Sequence, residues 1–321
     1  MEKSSSKTFN VALKAKVIIL GAGMSGIACG LTLNNNFKVS IFEKSRGVGG
    51  RLCAKKTTNG LLHFGAQFCT AQSDQFREFL DKNNAINFMG SAYECDKKLT
   101  IKTKNYFVHA QGMHGLLKEA AKSLNICFNQ KAIHIDERKK IIYFESGHKE
   151  TYDIIISSLP LPQCQEILQS TIEHDSEFSP CVAVGMNINP PQVNAHIAFK
   201  SVNSDVSWFA SSKFFNSEKQ ETWVLQFAPQ ASTKMITKSD LFIQNIVQNY
   251  LGKLFNQGIE LNNIKVFRWK YALCTQSKLN KLFTSISEEA YAIGDWNISP
   301  RVESAYSSGV ALGKFLNETK L

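Results

Sequence analysis

The segment VIILGAGMSGIACGLTL, Val17 to Leu33, constrains this chain more than any other. Lys16 to Leu20 reads as a short buried strand, GAGMSG (Gly21 to Gly26) as a glycine turn, and Ser25 to Leu33 as a helix. A strand that feeds a glycine turn and then a helix brings backbone N–H groups and a positive helix end onto a diphosphate. Gly21 permits the tight turn, Gly23 lets a diphosphate approach the backbone beside Met24 and Ser25, and Gly26 lets the helix lie close on the strand. A second strand, Lys38 to Phe42, ends at Glu43, about twenty residues past the turn, where an acid accepts ribose hydroxyls. An acid also repels a 2′-phosphate, so the unit predicts a site for FAD or NAD rather than NADP.

Glu43 is followed by KSRGVGGR, Lys44 to Arg51. A bare NAD site has no use for this second glycine cluster. In an FAD-binding chain Lys44, Arg46, Gly50 and Arg51 can cover the pyrophosphate, with arginine supplying forked hydrogen bonds to its oxygens. A flexible basic surface loop is the alternative.

Farther on, Asp74 to Lys82 has helical spacing behind a capping residue, and Met113 to Leu124 predicts another helix after Gly112. Short alternating segments between Ile126 and Phe144 predict a β-meander, and DIIISSLP, Asp153 to Pro160, a strand covered on both faces. From about Pro180 to Arg268 the runs CVAVGMNI, AHIAF and ETWVLQFA surround one long helix, roughly Lys238 to Phe255, an α+β texture that predicts a second domain. AYAIGDW, Ala290 to Trp296, reads as strand then turn, with a helix from about Val302 to Leu316.

The 321 residues are 43% hydrophobic and 20% charged, with no apolar run long enough to span a bilayer. The N-terminus lacks an apolar core before a small-residue cleavage site, so residues 1–15 read as a lead-in rather than a secretory signal. Eight scattered cysteines form no Cys-x-x-Cys pair and no metal-spaced cluster, which predicts free thiols, no metal and a reducing cytoplasm. The net charge of +10 is dispersed, without a basic block or an RNA-binding motif, so nucleic acid is not an expected partner. An anionic dinucleotide accounts for part of the excess.

Taken in order, GAGMSG, FEKSRGVGGR, FGAQFCTA, QGMHGL, DIIISSLP, ETWVLQFA, FRWKYA and GDWNISPRVESAYSSG resemble the FAD-dependent amine oxidase superfamily, and within it the bacterial renalase-like oxidoreductases. The resemblance runs from Lys16 to Lys320. It implies an α/β fold: an FAD-binding Rossmann-like domain of the glutathione-reductase and amine-oxidase type (16–76, 106–177 and 285–321) beside an α+β substrate domain (77–105 and 178–284). It implies that Phe64, Gly65, Ala66 and Gln67 pass beside the flavin ring and that Ala132 contacts the adenine end. Gly294 and Asp295 then sit at the ribityl-pyrophosphate, and Arg301, Val302, Glu303 and Ala305 open a helix whose positive end faces the ring's pyrimidine edge. His63 stands where the family usually has an acid. No cysteine lies in the C-terminal flavin segment, so FAD is expected to be held noncovalently.

The same resemblance turns Trp208, Trp269, Tyr271 and Trp296, with Gln67, into a substrate pocket of aromatic walls, although aromatic strand residues by themselves usually pack in cores. Arg268 falls on the opposite strand face from Trp269 and Tyr271. The implied reaction is hydride transfer from a small molecule, an aberrant dihydro isomer of NAD(P)H, to flavin and then to oxygen, giving NAD(P)+ and hydrogen peroxide. A primary-amine or polyamine oxidase and a flavin-binding protein without turnover are the alternatives.

Overall fold

A computed structural model describes residues 14–33, 37–57, 60–94, 100–188, 198–200, 205–211, 222–275, 277–278 and 281–320. Most of the N-terminal lead-in and the first half of AHIAF lie outside the described residues.

The strand Lys16–Leu20 sits inside a six-stranded sheet, between Ile154–Ser157 and Lys38–Phe42 and parallel to both. Ala290–Ala292 extends one side in parallel and Ile126–Cys127 the other. The alternation of the first strand explains its depth. Val17 and Ile19 enter a core with Ile27 and Leu33 of the helix Met24–Leu33 and with Leu312 and Leu316 of the C-terminal helix Val302–Thr319. Ile18 and Leu20 enter a separate core with Phe42, Phe144 and Trp296. Both faces are covered, as an apolar parallel strand requires, and each such side chain contributes about 2 kcal/mol by burial.

A seven-stranded, mostly antiparallel sheet is built from Ala85–Glu94, Thr100–His109, Phe178–Asn187, Ala198–Lys200, Val206–Ser211, Thr222–Phe227 and Asn262–Cys274. One face carries Val182, Val184 and Leu225 against Ile243, Val247 and Leu251, which recur every four residues on the helix Asp240–Leu254. That helix starts where Ser239 caps it, the hydroxyl accepting from Phe242 N–H at 3.3 Å. The other face carries Ala183 and Val224 against Leu62 and Phe64. A segment from the N-terminal quarter is thereby laid across the second sheet.

Several sequence-based elements are shorter or divided. DIIISSLP forms a strand only over Ile154–Ser157, because Pro162 seeds a helix, Leu161–Leu168, that periodicity did not announce. The Ile126 to Phe144 meander separates: Ile126–Cys127 joins the parallel sheet, while Ala132–Asp136, Ile141–Phe144 and Lys149–Thr151 form an antiparallel trio. The helix expected to reach Leu124 is α-helical over Met113–Ala120 and tightens to a 3₁₀ turn over Ala121–Ser123. Asp240–Leu254 is preceded by a second short helix, Pro229–Met235.

Candidate active site

The glycine turn has the geometry that its sequence predicts. Gly21 is left-handed (φ 102°), a conformation closed to most side chains. A Cβ on Gly26 would lie 2.2 Å from the Gly21 carbonyl oxygen, so the helix rests on the strand through hydrogen alone. Above Gly23 there is open space: a Cβ there meets nothing within 4 Å. Gly50, from the second glycine cluster, stands beside it, its own Cβ position 3.4 Å from Gly23 Cα. Lys44 and Arg46 are exposed on the intervening loop.

Glu43 is buried and both of its oxygens accept backbone N–H groups, Oε2 from Ala22 and Oε1 from Ser45, each at 2.8 Å. Each oxygen keeps a further lone-pair site, so the carboxylate can shape the turn and still accept a ribose hydroxyl. Gln130 N–H donates to the Glu43 carbonyl at 2.9 Å, which brings Ala132, two residues on and half-buried, to this end of the site.

Arg51 and Asp295 are engaged with each other. The guanidinium forks onto the carboxylate, Nη1 to Oδ2 at 2.9 Å and Nη2 to Oδ1, and Nη1 also donates to the Ala272 carbonyl at 3.2 Å. Their side chains are 31% and 7% exposed. The guanidinium's pKa is lowered by burial, but the Asp295 carboxylate and then Cys274 outweigh this and hold it above the ordinary value. Cys274 donates its thiol to Asp295 Oδ2 at 3.3 Å, and burial followed by the Asp295 charge pushes that thiol up to about 12. A thiol so firmly protonated is a poor nucleophile.

Glu303, at the start of the C-terminal helix, is buried. Its oxygens accept from Gln72 N–H at 2.8 Å and from Ser73 N–H and Oγ–H at 2.7 and 2.8 Å, tying the helix to the 72–73 loop. Arg301 donates to Thr70 Oγ1 at 3.0 Å and makes no side-chain cap on this helix. Ala305 N–H already donates to the Arg301 carbonyl at 3.2 Å, while the N–H groups of Val302 to Ser304 have no side-chain cap and stand at the positive end of an 18-residue helix. Gly294, before Asp295, donates its N–H to Ser308 Oγ at 3.0 Å.

The segment Phe64 to Gln67 lies between the two sheets. Gly65 and Ala66 donate to the Cys53 and Arg51 carbonyls at 3.3 and 2.9 Å, and a Cβ on Gly65 would fall 2.1 Å from the Arg51 oxygen. From the other side, Trp269 Nε1–H donates to the Phe64 carbonyl at 3.0 Å and Trp208 Nε1–H to Gln67 Oε1 at 2.8 Å. Gln226 adds long contacts, 3.4 and 3.5 Å, from its amide to the Phe64 and Gly65 carbonyls. Sequence reasoning passed over Gln226; the polar letter interrupting the apolar strand ETWVLQFA was its signal.

The remaining aromatic residues diverge. Tyr271 meets Phe178 edge-on at 6.1 Å. Trp296 is 0% exposed, its indole donating to the Leu159 carbonyl at 3.2 Å, and so it packs beneath the six-stranded sheet rather than lining a pocket. Its segment placed it near the flavin, but the 3₁₀ turn Asp295–Asn297 sends the ring inward. Arg268 faces the helix side, paired with Asp240 at 2.7 Å.

His63 is buried against Gly112, whose Cβ position lies 2.6 Å from His63 Cε1. Burial first, and the neighbouring His114 second, bring its pKa down to about 4. The folded protein therefore keeps this imidazole neutral, while the unfolded chain takes up a proton below about pH 6.5. Stability present in full above that pH is lost as pH falls from 6.5 to about 4, by about 3 kcal/mol in all. His63→Gln should flatten that part of the stability profile in urea titrations at pH 7 and pH 4.5; an unchanged slope would show that His63 titrates normally.

Residues 19–82 match the NAD(P)-binding Rossmann-like domain family. Mouse (Mus musculus) renalase is 24% identical over 182 residues, 51% of this chain and 52% of renalase, so the alignment spans about half of each protein. Solved structures align far more completely. A candidate protoporphyrinogen oxidase from Exiguobacterium superposes with a TM-score of 0.77 at 10% identity, covering 95% of this chain and 99% of that one. A putrescine oxidase gives 0.74 at 10% identity, with 95% and 99% covered. Reduced UDP-galactopyranose mutase gives 0.73 at 12% identity, with 95% and 96% covered. No described helix is long and apolar enough to cross a membrane. Residues 19–82 thus match an NAD(P)-binding Rossmann-like domain, and the chain as a whole shares its fold with these two oxidases and with the mutase.

Proposed function

We propose that this chain is a renalase-like, FAD-dependent oxidase, acting in the cytoplasm on a dihydropyridine, an aberrant dihydro isomer of NAD(P)H, with oxygen as acceptor and NAD(P)+ and hydrogen peroxide as products. The observation that carries the cofactor is the open space over Gly23, bordered by Gly50 and by the buried Glu43 carboxylate. The backbone of Gly23, Met24 and Ser25 receives the diphosphate, Lys44 and Arg46 reinforce it, and Glu43 takes a ribose hydroxyl. Ala132 borders the adenine end. Phe64 to Gln67 form the ledge beside the ring, held by the two indole N–H groups. The first turn of Val302–Thr319 offers its N–H groups to developing negative charge. Bound FAD would supply the hydride acceptor, and the chain orients the donor and keeps water away.

The dihydropyridine is favoured over an amine by how the site's acids are used. Glu43 is bonded to two backbone N–H groups, Asp295 to Arg51, and Glu303 to the 72–73 loop. Asp295 is charge-paired with Arg51, Glu303 is hydrogen-bonded into the 72–73 loop and Glu43 is assigned to the ribose, so none of the three is committed to an ammonium group. The fold shared with putrescine oxidase supports the second reading, an amine or polyamine oxidase. The free state of the seven described cysteines supports a reducing compartment.

The protein is expected to purify yellow and to release its flavin on acid precipitation. Anaerobic mixing with a chemically reduced NAD mixture that contains misplaced-hydride isomers should bleach the flavin, whereas monoamines and polyamines should not. Bleaching by an amine alone would establish the second reading. Retained FAD that no donor reduces would indicate a flavin-binding protein without turnover.

A further inference from the structure

Gln67 has a polarity that its neighbours fix. A glutamine amide can turn its oxygen or its NH2 group toward a ligand, and the two orientations differ by a half-turn of the terminal torsion. An indole N–H only donates. Trp208 Nε1 stands 2.8 Å from the Gln67 oxygen, so the oxygen belongs on that side and the NH2 group on the other. Gln67 is 5% exposed, and its Nε2 has no hydrogen-bond partner among the described residues. A buried donor left in this state keeps its desolvation cost uncompensated, and an acceptor on a bound ligand removes that cost.

The location suits such a ligand. Ala66, one residue back, donates to the Arg51 carbonyl, and Gly50 lies over Gly23 of the diphosphate turn. Trp208 belongs to the strand Val206–Ser211 of the second sheet. The amide therefore stands at the junction between the dinucleotide turn and that sheet, where small-molecule sites commonly form. Trp208 is itself held in place: its ring packs on Phe68 at 5.5 Å, and Phe68 on Tyr106 at 4.4 Å.

We infer that Gln67 presents only its NH2 group to the site, selecting a carbonyl or carboxamide oxygen on a flat heterocycle and rejecting an ammonium group, and that Trp208 is the positioning residue that sets this polarity. The inference deepens the oxidase reading and rests on it. A carboxamide oxygen completes the unpaired donor. An ammonium group would oppose one set of N–H donors with another and leave both unpaired, a difference of about tenfold or more in affinity.

The test uses the purified protein with its flavin and two probes of similar size, nicotinamide and benzylamine, titrated calorimetrically without oxygen. Wild type should prefer nicotinamide. Gln67→Glu replaces the donor with an anionic acceptor and should invert the preference, moving the affinity ratio about tenfold or more. Trp208→Phe keeps an aromatic ring, removes the N–H and frees the amide to turn. It should bring the ratio toward one, which loss of packing alone would not do, and it decides the matter if Gln67→Glu does not fold. The flavin spectrum recorded without probe separates the two sources of acceptor. A shifted spectrum in Gln67→Glu with an unchanged probe ratio places the acceptor carbonyl on the flavin, leaves Gln67 no part in choosing between the probes and overturns the inference. An unchanged ratio and an unchanged spectrum overturn it, as does absence of binding of both probes with an unchanged spectrum. Flavin content is measured separately: wild type that purifies without FAD sinks the oxidase reading, while the two titrations still decide the polarity of Gln67.

Discussion

Gly23→Val is expected to fold like the parent and to purify without FAD, whereas Gly26→Val, the same change three positions on, is expected not to fold. At Gly23 the added methyls enter open space, with no atom within 4 Å of the Cβ position, so the fold has nothing to resist. That space is the one the diphosphate needs. At Gly26 the Cβ would sit 2.2 Å from the backbone oxygen of Gly21, and a backbone atom in a buried strand turn cannot rotate aside as a side chain can. Relief requires lifting the helix Met24–Leu33 from the sheet, at a cost above the about 1–3 kcal/mol of ordinary overpacking. Thermal melts followed by circular dichroism, with the flavin-to-protein absorbance ratio, check both. Full flavin content in Gly23→Val would remove the basis for the diphosphate site.

The second large effect concerns Arg51. Arg51→Ala should destabilise the protein by about 3 kcal/mol, because it leaves the buried Asp295 carboxylate without its forked partner. Asp295→Ala alone should cost a similar amount by stranding the guanidinium. The double variant should recover part of the loss, since no uncompensated charge then remains. Urea denaturation of the four proteins gives the coupling energy. Strict additivity would mean that the two groups are held separately and that the contact contributes nothing. Arg51→Lys keeps the charge but loses the fork, and should fall between wild type and alanine.

The first βαβ unit was legible because its information is local: a buried strand, a turn that only glycine can make, and an acid at the next strand's end. What each acid and arginine does was not legible in the same way. Residue type announces Arg51 and Asp295 as ligands for a charged cofactor, yet a guanidinium forks onto a carboxylate as it does onto a phosphate, and only the fold brings these two together. Glu303 repeats the lesson with the 72–73 loop. The alternation of FRWKYA separates the face of Trp269 from that of Arg268, and the structure keeps them apart. Alternation does not tell what an indole N–H will find. Trp208 and Trp269 read as flat walls, and their indole N–H groups also hold the Phe64 to Gln67 ledge. Trp296 failed for another reason: a 3₁₀ turn reverses the inward and outward sense that a strand would have kept.

The Arg51 to Asp295 fork also sets when the site can exist during synthesis. The partners are 244 residues apart, and the strand Ala290–Ala292, which continues the parallel sheet beside Ile154–Ser157, comes only just before Asp295. A nascent chain can therefore complete its glycine turn early, but it holds Arg51 without this counter-charge until Asp295 has left the ribosome. Loop closure over such a span is slow compared with local contacts. Closure of the sheet and formation of the fork then fall together, so a chain truncated before Asp295 is expected to be a target for proteolysis rather than a smaller folded protein.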